Sequence, residues 1–279
     1  MENKEIIIKP SSSLFSINLK EIWDYRDLLK MLIEKNLKLV YKQTILGPAW
    51  MVINPILTSI IFTFVFGSFA GISTDGVPPF LFYVAGNTIW GLFNTAVTNT
   101  SNTFVNNQAV FTKIYFPRLV TPLAMVINSA INFLIQLAAL MVFFVVYMIT
   151  GTGVSFHIRM LLVVPLVVQT CMLALGVGLI SSCLGAKYRD FRYIITLVMN
   201  LWMYVTPVVY PMSLTGGWMN FILTLNPMTP IVSNFKWAFL GSGYFMGGSW
   251  VLSIVITVAI LFLGIVWYSK VERTFADTV

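Results

Sequence analysis

The sequence of 279 residues is 58% hydrophobic and only 10% charged, whereas about 25% of the residues in an average soluble domain are charged. Apolar runs of about 20 residues recur along it, and each is long enough to cross a hydrocarbon core of about 30 Å. This composition excludes a soluble domain and indicates an all-α integral membrane protein. It also excludes a transmembrane barrel, because barrel strands alternate in polarity and these runs do not.

An amphipathic helix is predicted at 25–42, near the end of a polar N-terminal segment that covers 1–47. Its apolar side chains recur at the i, i+3, i+4 and i+7 spacing of one helical face. The basic residues on its other faces are Arg26, Lys30, Lys35, Lys38 and Lys42. Such a helix is expected to lie in the membrane interface, with its lysines toward anionic lipid headgroups. A soluble helix packed on a small domain is the alternative.

Six membrane-spanning helices are predicted within a transmembrane domain at 48–271, which is followed by a short tail at 272–279. The spans are about 49–70, 80–100, 119–149, 160–184, 193–212 and 249–269. The third is longer than a straight crossing needs, so it is expected to tilt or to extend beyond the bilayer. Pro55 and Pro207 lie inside spans, where each predicts a kink.

The distribution of Lys and Arg predicts the orientation of the chain. With the N-terminus in the cytoplasm, the inner segments hold 15 of the 17 basic residues. These inner segments are 1–48, 101–118, 185–192 and 270–279. The asymmetry follows the positive-inside rule and places both termini in the cytoplasm. It also accounts for the net charge of +7 without any affinity for nucleic acid.

Three spans carry neutral polar and aromatic side chains. These are Tyr83, Asn87, Trp90 and Asn94 in the second span, Asn128 and Asn132 in the third, and Trp202 and Tyr204 in the fifth. Sugar rings stack on aromatic side chains while their hydroxyl groups bond to amides, so one interpretation is a channel for a glycan. The alternatives are hydrogen bonds between helices for the amides, and anchoring at the membrane interface for the aromatic residues.

The predicted spans contain no Asp, Glu, Lys, Arg or His. This argues against ion-coupled transport, because an intramembrane charge costs at least about 2.5–3.5 kcal/mol and marks such a function. His157, the single histidine, has no metal-ligand partner at a useful spacing. The Gly-x-x-x-x-Gly-Lys-Ser/Thr motif that cradles nucleotide phosphates does not occur. The chain is therefore expected to bind no metal or cofactor, and any ATP that drives it requires another polypeptide.

Two predicted inner loops combine charged and aromatic residues. In "NNQAVFTKIYFPRLVTPL" (106–123), apolar residues at i, i+1 and i+4 predict a short amphipathic helix that ends before Pro117. In "GAKYRDFRYI" (185–194), charged residues surround two aromatic ones. Charge beside a span is usually only topological, but exposed aromatic residues within it favour a protein partner. The predicted contact residues are Val110, Phe111, Lys113, Ile114, Tyr115, Arg118, Lys187, Arg189, Asp190 and Phe191.

The connector between the last two spans, 213–248, is too apolar for a solvated loop. Pro227 and Pro230 interrupt it too often for one crossing helix. Non-helical backbone at membrane depth is tolerated only inside protein or beside a water-filled cavity. The sequence therefore predicts two short re-entrant helices in the outer leaflet, on either side of "NPMTP". A seventh and an eighth span are the alternative, for which the connector is too short.

Five stretches occur in an order that resembles a known family. They are "YKQTILGPAWMVINPI", "KIYFPRLVTPL", "AKYRDFRYI", "TPVVYP" and "LNPMTPIV". The chain resembles the transmembrane subunit of type 2 ABC exporters, specifically the polysaccharide and teichoic-acid permeases. The resemblance covers roughly residues 25 to 270 and is specific because the five stretches keep the family's order.

The resemblance implies a homodimer in the bacterial plasma membrane that pairs with two separate ATPase subunits, which hold ATP and Mg. It implies that 25–42 and 106–118 contact the ATPase, with a smaller contact from 185–192. The two copies would form a channel along the dimer axis for a lipid-linked glycan of the O-antigen, capsule or teichoic-acid type. The re-entrant helices would act as its gate.

Two other functions stay open at this point. One is a type 2 exporter of drugs or lipids, although such permeases often have a large outer domain, which this chain lacks. The other is a membrane enzyme that handles polyprenyl phosphate. That enzyme would need acidic residues near the membrane surface, and Asp75 and Asp190 are the candidates.

Overall fold

The computed structural model describes residues 23–42, 47, 49–106, 116–188 and 190–278 of the protein. Its helices are α1 (Arg26–Lys42), α2 (Ala49–Phe62), α3 (Pro79–Ser101), α4 (Thr103–Asn106), α5 (Val120–Ile149), α6 (Val163–Lys187), α7 (Phe191–Tyr204), α8 (Gly217–Leu225), α9 (Met228–Leu240) and α10 (Gly247–Thr278). A π-helix, Thr63–Phe69, continues α2, and the 3-10 turns Ile158–Leu162 and Met212–Leu214 precede α6 and α8. The described part contains no strand, which confirms the predicted all-α class.

Four helical stretches within the described ranges are long and apolar enough to cross a membrane. They are Ala49–Phe69, Val120–Ile149, Ile158–Lys187 and Gly247–Val271. They coincide with the first, third, fourth and sixth predicted spans. Helix α3 matches the second predicted span, but its asparagines and threonines lower its hydropathy. Helix α7 has 14 residues, about 21 Å at 1.5 Å per residue, which is shorter than a hydrocarbon core of about 30 Å.

Helix α3 lies at the centre of the molecule. All of residues 81–90 are buried, and the helix contacts α2, α5, α6 and α9. A helix surrounded by protein rather than lipid tolerates amides, because neighbouring side chains can satisfy them. Asn87, for example, donates to the hydroxyl of Ser59 in α2 at 2.9 Å. This location explains why the most polar of the predicted spans is also the most buried.

Helices α6 and α10 approach each other closely enough for their backbones to touch. A Cβ atom added at Gly264 would lie 2.7 Å from the carbonyl oxygen of Gly176. One added at Gly176 would lie 2.8 Å from the Cα of Leu261. Small residues at such a crossing allow the van der Waals contact that drives helix association in lipid. Glycine at both positions is therefore needed for this packing.

Helix α1 packs against the bundle through its apolar face. Leu32 is buried in a cluster with Phe104 and Tyr268, whose rings stack at a centroid distance of 4.7 Å. The amide of Asn36 donates to Sδ of Met125 in α5 at 3.7 Å. Part of the face that was expected to enter the lipid thus contacts protein. This helix marks one end of the bundle, called the α1 end below; the opposite end, where α9 packs, is called the α9 end.

The fifth predicted span ends earlier than expected. Helix α7 stops at Tyr204, and residues 205–211 are not helical. Pro207 has no N–H for the helical ladder and disfavours helix at Thr206. The predicted kink at Pro207 is therefore a break. Pro55, in contrast, stays inside α2, where the hydroxyl of Ser59 donates to its carbonyl oxygen at 2.7 Å.

Two short helices follow this break, on either side of Asn226-Pro227. Helix α8 has 9 residues and α9 has 13, so neither is long enough for a crossing at 1.5 Å per residue. Helix α9 is largely buried and contacts α3, α6 and α10. The chain leaves it at Gly241, whose φ of 73° suits the left-handed end of a helix.

Candidate functional site

A lysine is buried at the α9 end of the bundle. Only 3% of Lys236 is exposed, and its Nζ donates to the carbonyl oxygens of Pro207 at 2.8 Å and Val208 at 2.7 Å. The ammonium group also lies 3.5 Å from the ring centroid of Phe82 in α3. Buried cations are rare unless they are paired with carbonyls, charges or rings. Lys236 lies in the connector 213–248, to which the sequence assigned two re-entrant helices but no charged site, and only its isolation within an apolar stretch could have pointed to this role.

Gly86 makes room for this lysine. A Cβ atom at Gly86 would lie 2.9 Å from Cε of Lys236 and 2.9 Å from the carbonyl oxygen of Val208. Real Cβ atoms essentially never make contacts this short. A glycine in α3 is therefore what lets α9 and the chain after α7 approach the central helix together.

An aspartate contacts the same stretch of chain that Lys236 contacts, the residues that follow α7. Asp75, in the loop between α2 and α3, accepts a hydrogen bond through Oδ1 from the hydroxyl of Ser213 at 2.7 Å. Its Oδ2 is buried and has no hydrogen-bond partner among the described residues. Asp75 and Lys236 line one cleft. The rest of that cleft includes Tyr210, Ser233 and Tyr244.

Asn226 joins the ends of α7 and α9. Its Nδ2 donates to the hydroxyl of Thr206 at 2.9 Å, while its Oδ1 accepts from Nε1 of Trp202 at 3.0 Å and from the backbone N–H of Met228 at 3.0 Å. The stretches "TPVVYP" and "LNPMTPIV" are therefore in direct contact. This contact explains why each stretch has a polar residue directly before proline, Thr206 in the first and Asn226 in the second.

A second polar network joins α6 to α10 near the same end. Nε1 of Trp250 donates to Oε1 of Gln169 at 2.6 Å, and Nε2 of Gln169 donates to the hydroxyl of Ser253 at 2.8 Å. Ser253 in turn donates to the carbonyl oxygen of Pro227 at 2.7 Å. Hydrogen bonds of this kind hold helices together where no water competes. These residues were not among those predicted from the sequence.

The residues predicted to line a channel fall into two groups. Tyr83, Asn87 and Trp90 are buried within the packed chain, and Asn128 is also buried. The others retain exposed surface: Asn94, Asn132 and Trp202 are half-buried, and Tyr204 is 54% exposed. The single chain thus brings the first group to its interior and leaves the second nearer its surface.

The amide stripe on α5 lacks partners within the described residues. Neither polar side-chain atom of Asn128 is hydrogen-bonded, and Oδ1 of Asn132 and Oε1 of Gln136 also have no partner among them. A buried amide without a partner costs about 1–3 kcal/mol. Three such amides on one helical face are a candidate surface for hydroxyl groups or ordered water.

Several of the predicted contact residues lie outside the described residues: Val110, Phe111, Lys113, Ile114, Tyr115 and Arg189. Those that are described lie at the α1 end. Lys187 and Asp190 are exposed, Arg118 is half-buried, and Phe191 packs against the core. The carbonyl oxygen of Arg118 accepts from the hydroxyl of Tyr268 at 3.4 Å.

The basic residues of α1 lie on the face of the helix that does not pack against the bundle. Arg26, Lys30, Lys35 and Lys38 are exposed, and Lys38 pairs with Glu34 at 3.4 Å. The side chain of Lys42 lies outside the described residues. Among the residues that are described, no group of three His, Cys, Asp or Glu could hold a metal ion.

Comparisons with known proteins give the family. The ABC-2 type transporter family matches residues 27–240, which is most of the chain. The O-antigen export system permease protein RfbA of Myxococcus xanthus is 28% identical over 220 residues, covering 78% of this chain and 82% of that protein. The protein of the same name from Klebsiella pneumoniae is 28% identical over 261 residues, covering 90% of this chain and 94% of that protein. The chain therefore belongs to the ABC-2 type transporter family, as the membrane-embedded permease subunit of an exporter rather than an enzyme.

Proposed function

We propose that this permease exports a lipid-linked polysaccharide of the O-antigen, capsule or teichoic-acid type across the bacterial plasma membrane. The observation that carries the proposal is the similarity to O-antigen export permeases, which extends over 78% to 90% of the chain. The unpartnered amides on α5 add support, because hydroxyl-rich cargo would give them hydrogen-bond partners.

Six crossings with both termini in the cytoplasm are part of this proposal. The four long apolar stretches would be joined by α3 and α7 as the second and fifth spans. The α1 end then faces the cytoplasm, and α8 and α9 enter the membrane from the outer side. The positive-inside distribution of Lys and Arg supports this orientation.

The transporter is proposed to contain two copies of this chain and two ABC ATPase subunits. Membership of the family implies an ABC ATPase as the partner, and ATP with Mg would bind there. Large apolar side chains are exposed along α2 and α7, among them Ile61, Leu197 and Leu201. A second copy seated on these helices would bury them and enclose a channel.

The cytoplasmic contact would lie at the α1 end. We assign it to α1, to the segment that contains Phe111 and Ile114, and to the corner at Lys187 and Asp190. Phe104 and Phe116, which flank residues 107–115, are buried in the same cluster as Leu32 of α1. Movement at this segment would therefore act on α1, α4 and α5 together.

The glycan path is proposed to include the predicted channel residues that retain exposed surface, Tyr204 and Asn132 foremost. Tyr83, Asn87 and Trp90 would support its wall from inside the protomer. The lipid anchor would approach past α1 at the inner leaflet. The lysines of α1 would meet anionic headgroups there.

Reconstitution tests the proposal. The permease is purified with its ATPase, placed in liposomes and supplied with an undecaprenyl-linked glycan from the host strain. We expect the glycolipid to stimulate ATP hydrolysis and to reach the opposite face of the membrane. The control contains an ATPase whose catalytic glutamate is replaced by glutamine. Stimulation by glycan-free lipid alone would contradict the proposal and favour a lipid exporter, and no stimulation by any glycolipid would also refute it.

A further inference from the structure

Two opposite charges hold the chain after α7 from two sides. This stretch, residues 205–213, is called the broken segment below. Lys236 of α9 grips its first half through the carbonyl oxygens of Pro207 and Val208. Asp75, from the loop before α3, grips its last residue through the hydroxyl of Ser213. Both side chains line one cleft.

The lysine side of this grip is complete. Pro207 and Val208 lie outside any helix, so their carbonyl oxygens need a donor from another part of the chain. Lys236 supplies that donor, and Phe82 covers its ammonium group at 3.5 Å. The side chain of Lys236 packs so closely on Gly86 that a Cβ atom there would lie 2.9 Å from its Cε. Separating Lys236 from the break would expose a buried cation and two carbonyls together.

The aspartate side is more open to solvent. Asp75 has a φ of 54°, a left-handed conformation that aspartate adopts more readily than most residues, and its backbone N–H donates to the hydroxyl of Ser73 at 3.2 Å. Oδ2 of Asp75 is buried without a partner within the described chain. The Asp75–Ser213 hydrogen bond is exposed, whereas both hydrogen bonds of Lys236 are buried, so opening on the aspartate side is the easier one.

We propose that Asp75 and Lys236 form a charged clamp on the broken segment, and that the clamp opens at the Asp75–Ser213 contact during each export cycle. Lys236 stays with the segment as its positioning residue, and Asp75 releases it. The inference rests on the proposed function, because it places this contact at the outer mouth of an exporter. In this proposal, Asp75 and Lys236 together keep the outer end of the transport path closed between export cycles.

A reversible lock tests the opening step. Asp75→Cys and Ser213→Cys are combined in a chain whose Cys171 and Cys183 are replaced by alanine. In whole cells, oxidation to the disulfide should lower export of surface polysaccharide at least tenfold, and a reductant should restore it. Each single cysteine variant, oxidised in the same way, is the matched control. Export that continues at the unlocked rate after complete cross-linking would overturn the clamp.

The chain in which Cys171 and Cys183 are alanine and no cysteine is introduced separates the two proposals. If it exports polysaccharide and the locked chain does so equally well, the clamp fails while the proposed function stands. If the folded cysteine-free chain, assembled with its ATPase, exports no polysaccharide, the result contradicts the proposed function rather than the clamp.

A second measurement does not depend on export. Val209, in the broken segment, is 4% exposed, so a cysteine there should react slowly with a membrane-impermeant maleimide. Adding Lys236→Met or Asp75→Asn should speed labelling at least tenfold, because each loosens one grip. Lys30→Met, at an exposed lysine of α1, is the control. Unchanged labelling in both clamp variants, in folded protein, would refute the inference.

Discussion

At the scale of single residues, the most constrained positions surround the broken segment. Gly86 faces Lys236 and a backbone carbonyl oxygen, both at 2.9 Å from a Cβ atom that it does not have. Asn226 connects Trp202 and Thr206. Neither constraint follows from local sequence, because the partners are far apart along the chain. Each makes a single substitution informative.

Gly86→Ala is expected to destabilise the protein by about 1–3 kcal/mol, because the added methyl group must displace Lys236 or the carbonyl oxygen of Val208. Thermal unfolding of the purified permease in detergent measures the loss. The control is Gly248→Ala, because a Cβ atom at Gly248 meets nothing within 4 Å. Equal stability of the two variants would show that the close contact is not limiting.

Asn226→Ala is expected to cost about 1–3 kcal/mol as well, since it leaves Nε1 of Trp202 without its acceptor in a half-buried site. The emission of that tryptophan should shift to longer wavelength as its surroundings loosen. Asn200→Ala, at an exposed position of α7, provides the comparison. The tie between α7 and α9 is disproved if both variants unfold at the temperature of the parent protein.

At the scale of elements, sequence patterns located the helices well where a single physical rule decides. Runs of about 20 apolar residues gave the four long spans, because the bilayer requires that length. The end of α7 was placed too late, since proline inside an apolar run is compatible with either a kink or a break. Contacts of α9 with the chain that follows α7 decide this case. Such contacts are not encoded in local periodicity.

Gly264→Leu is expected to separate α6 from α10, because its side chain would enter the backbone of Gly176, whose carbonyl oxygen lies 2.7 Å from the Cβ position. Overpacking of this kind costs typically about 1–3 kcal/mol, and more where the backbone itself is struck. We expect low yield and early thermal aggregation. Gly248→Leu, in the first turn of the same helix, should be tolerated because nothing lies within 4 Å of its Cβ position.

At the scale of the whole molecule, the class and the family were predictable, while the detailed site was not. Low charge and long apolar runs give the class, and the five ordered stretches give the family. The polar residues of α3 were noticed, but not that the chain buries Tyr83 and Trp90 in its own interior. Lys236 was missed because its partners come from α3 and from the α7 break. Burial of a charge is a property of the assembled bundle, and hydropathy along the sequence does not show it.

The proposed transporter couples the permease to its ATPase through the segment that contains Phe111 and Ile114. Phe111→Ala and Ile114→Ala are each expected to weaken binding of the ATPase, by about 2 kcal/mol if the side chain anchors the contact. Titration of the permease in nanodiscs with the purified ATPase measures this affinity. Leu134→Ala, at an exposed apolar position in the middle of α5, should leave it unchanged, because lipid rather than a cytoplasmic partner would cover that side chain. Equal affinity for all three variants would remove the segment from the contact. Coupling would then have to pass through α1 and the corner at Lys187 alone. Exposed charged side chains there would speed the association of the ATPase, but they would supply little of the binding energy that buried aromatic residues provide.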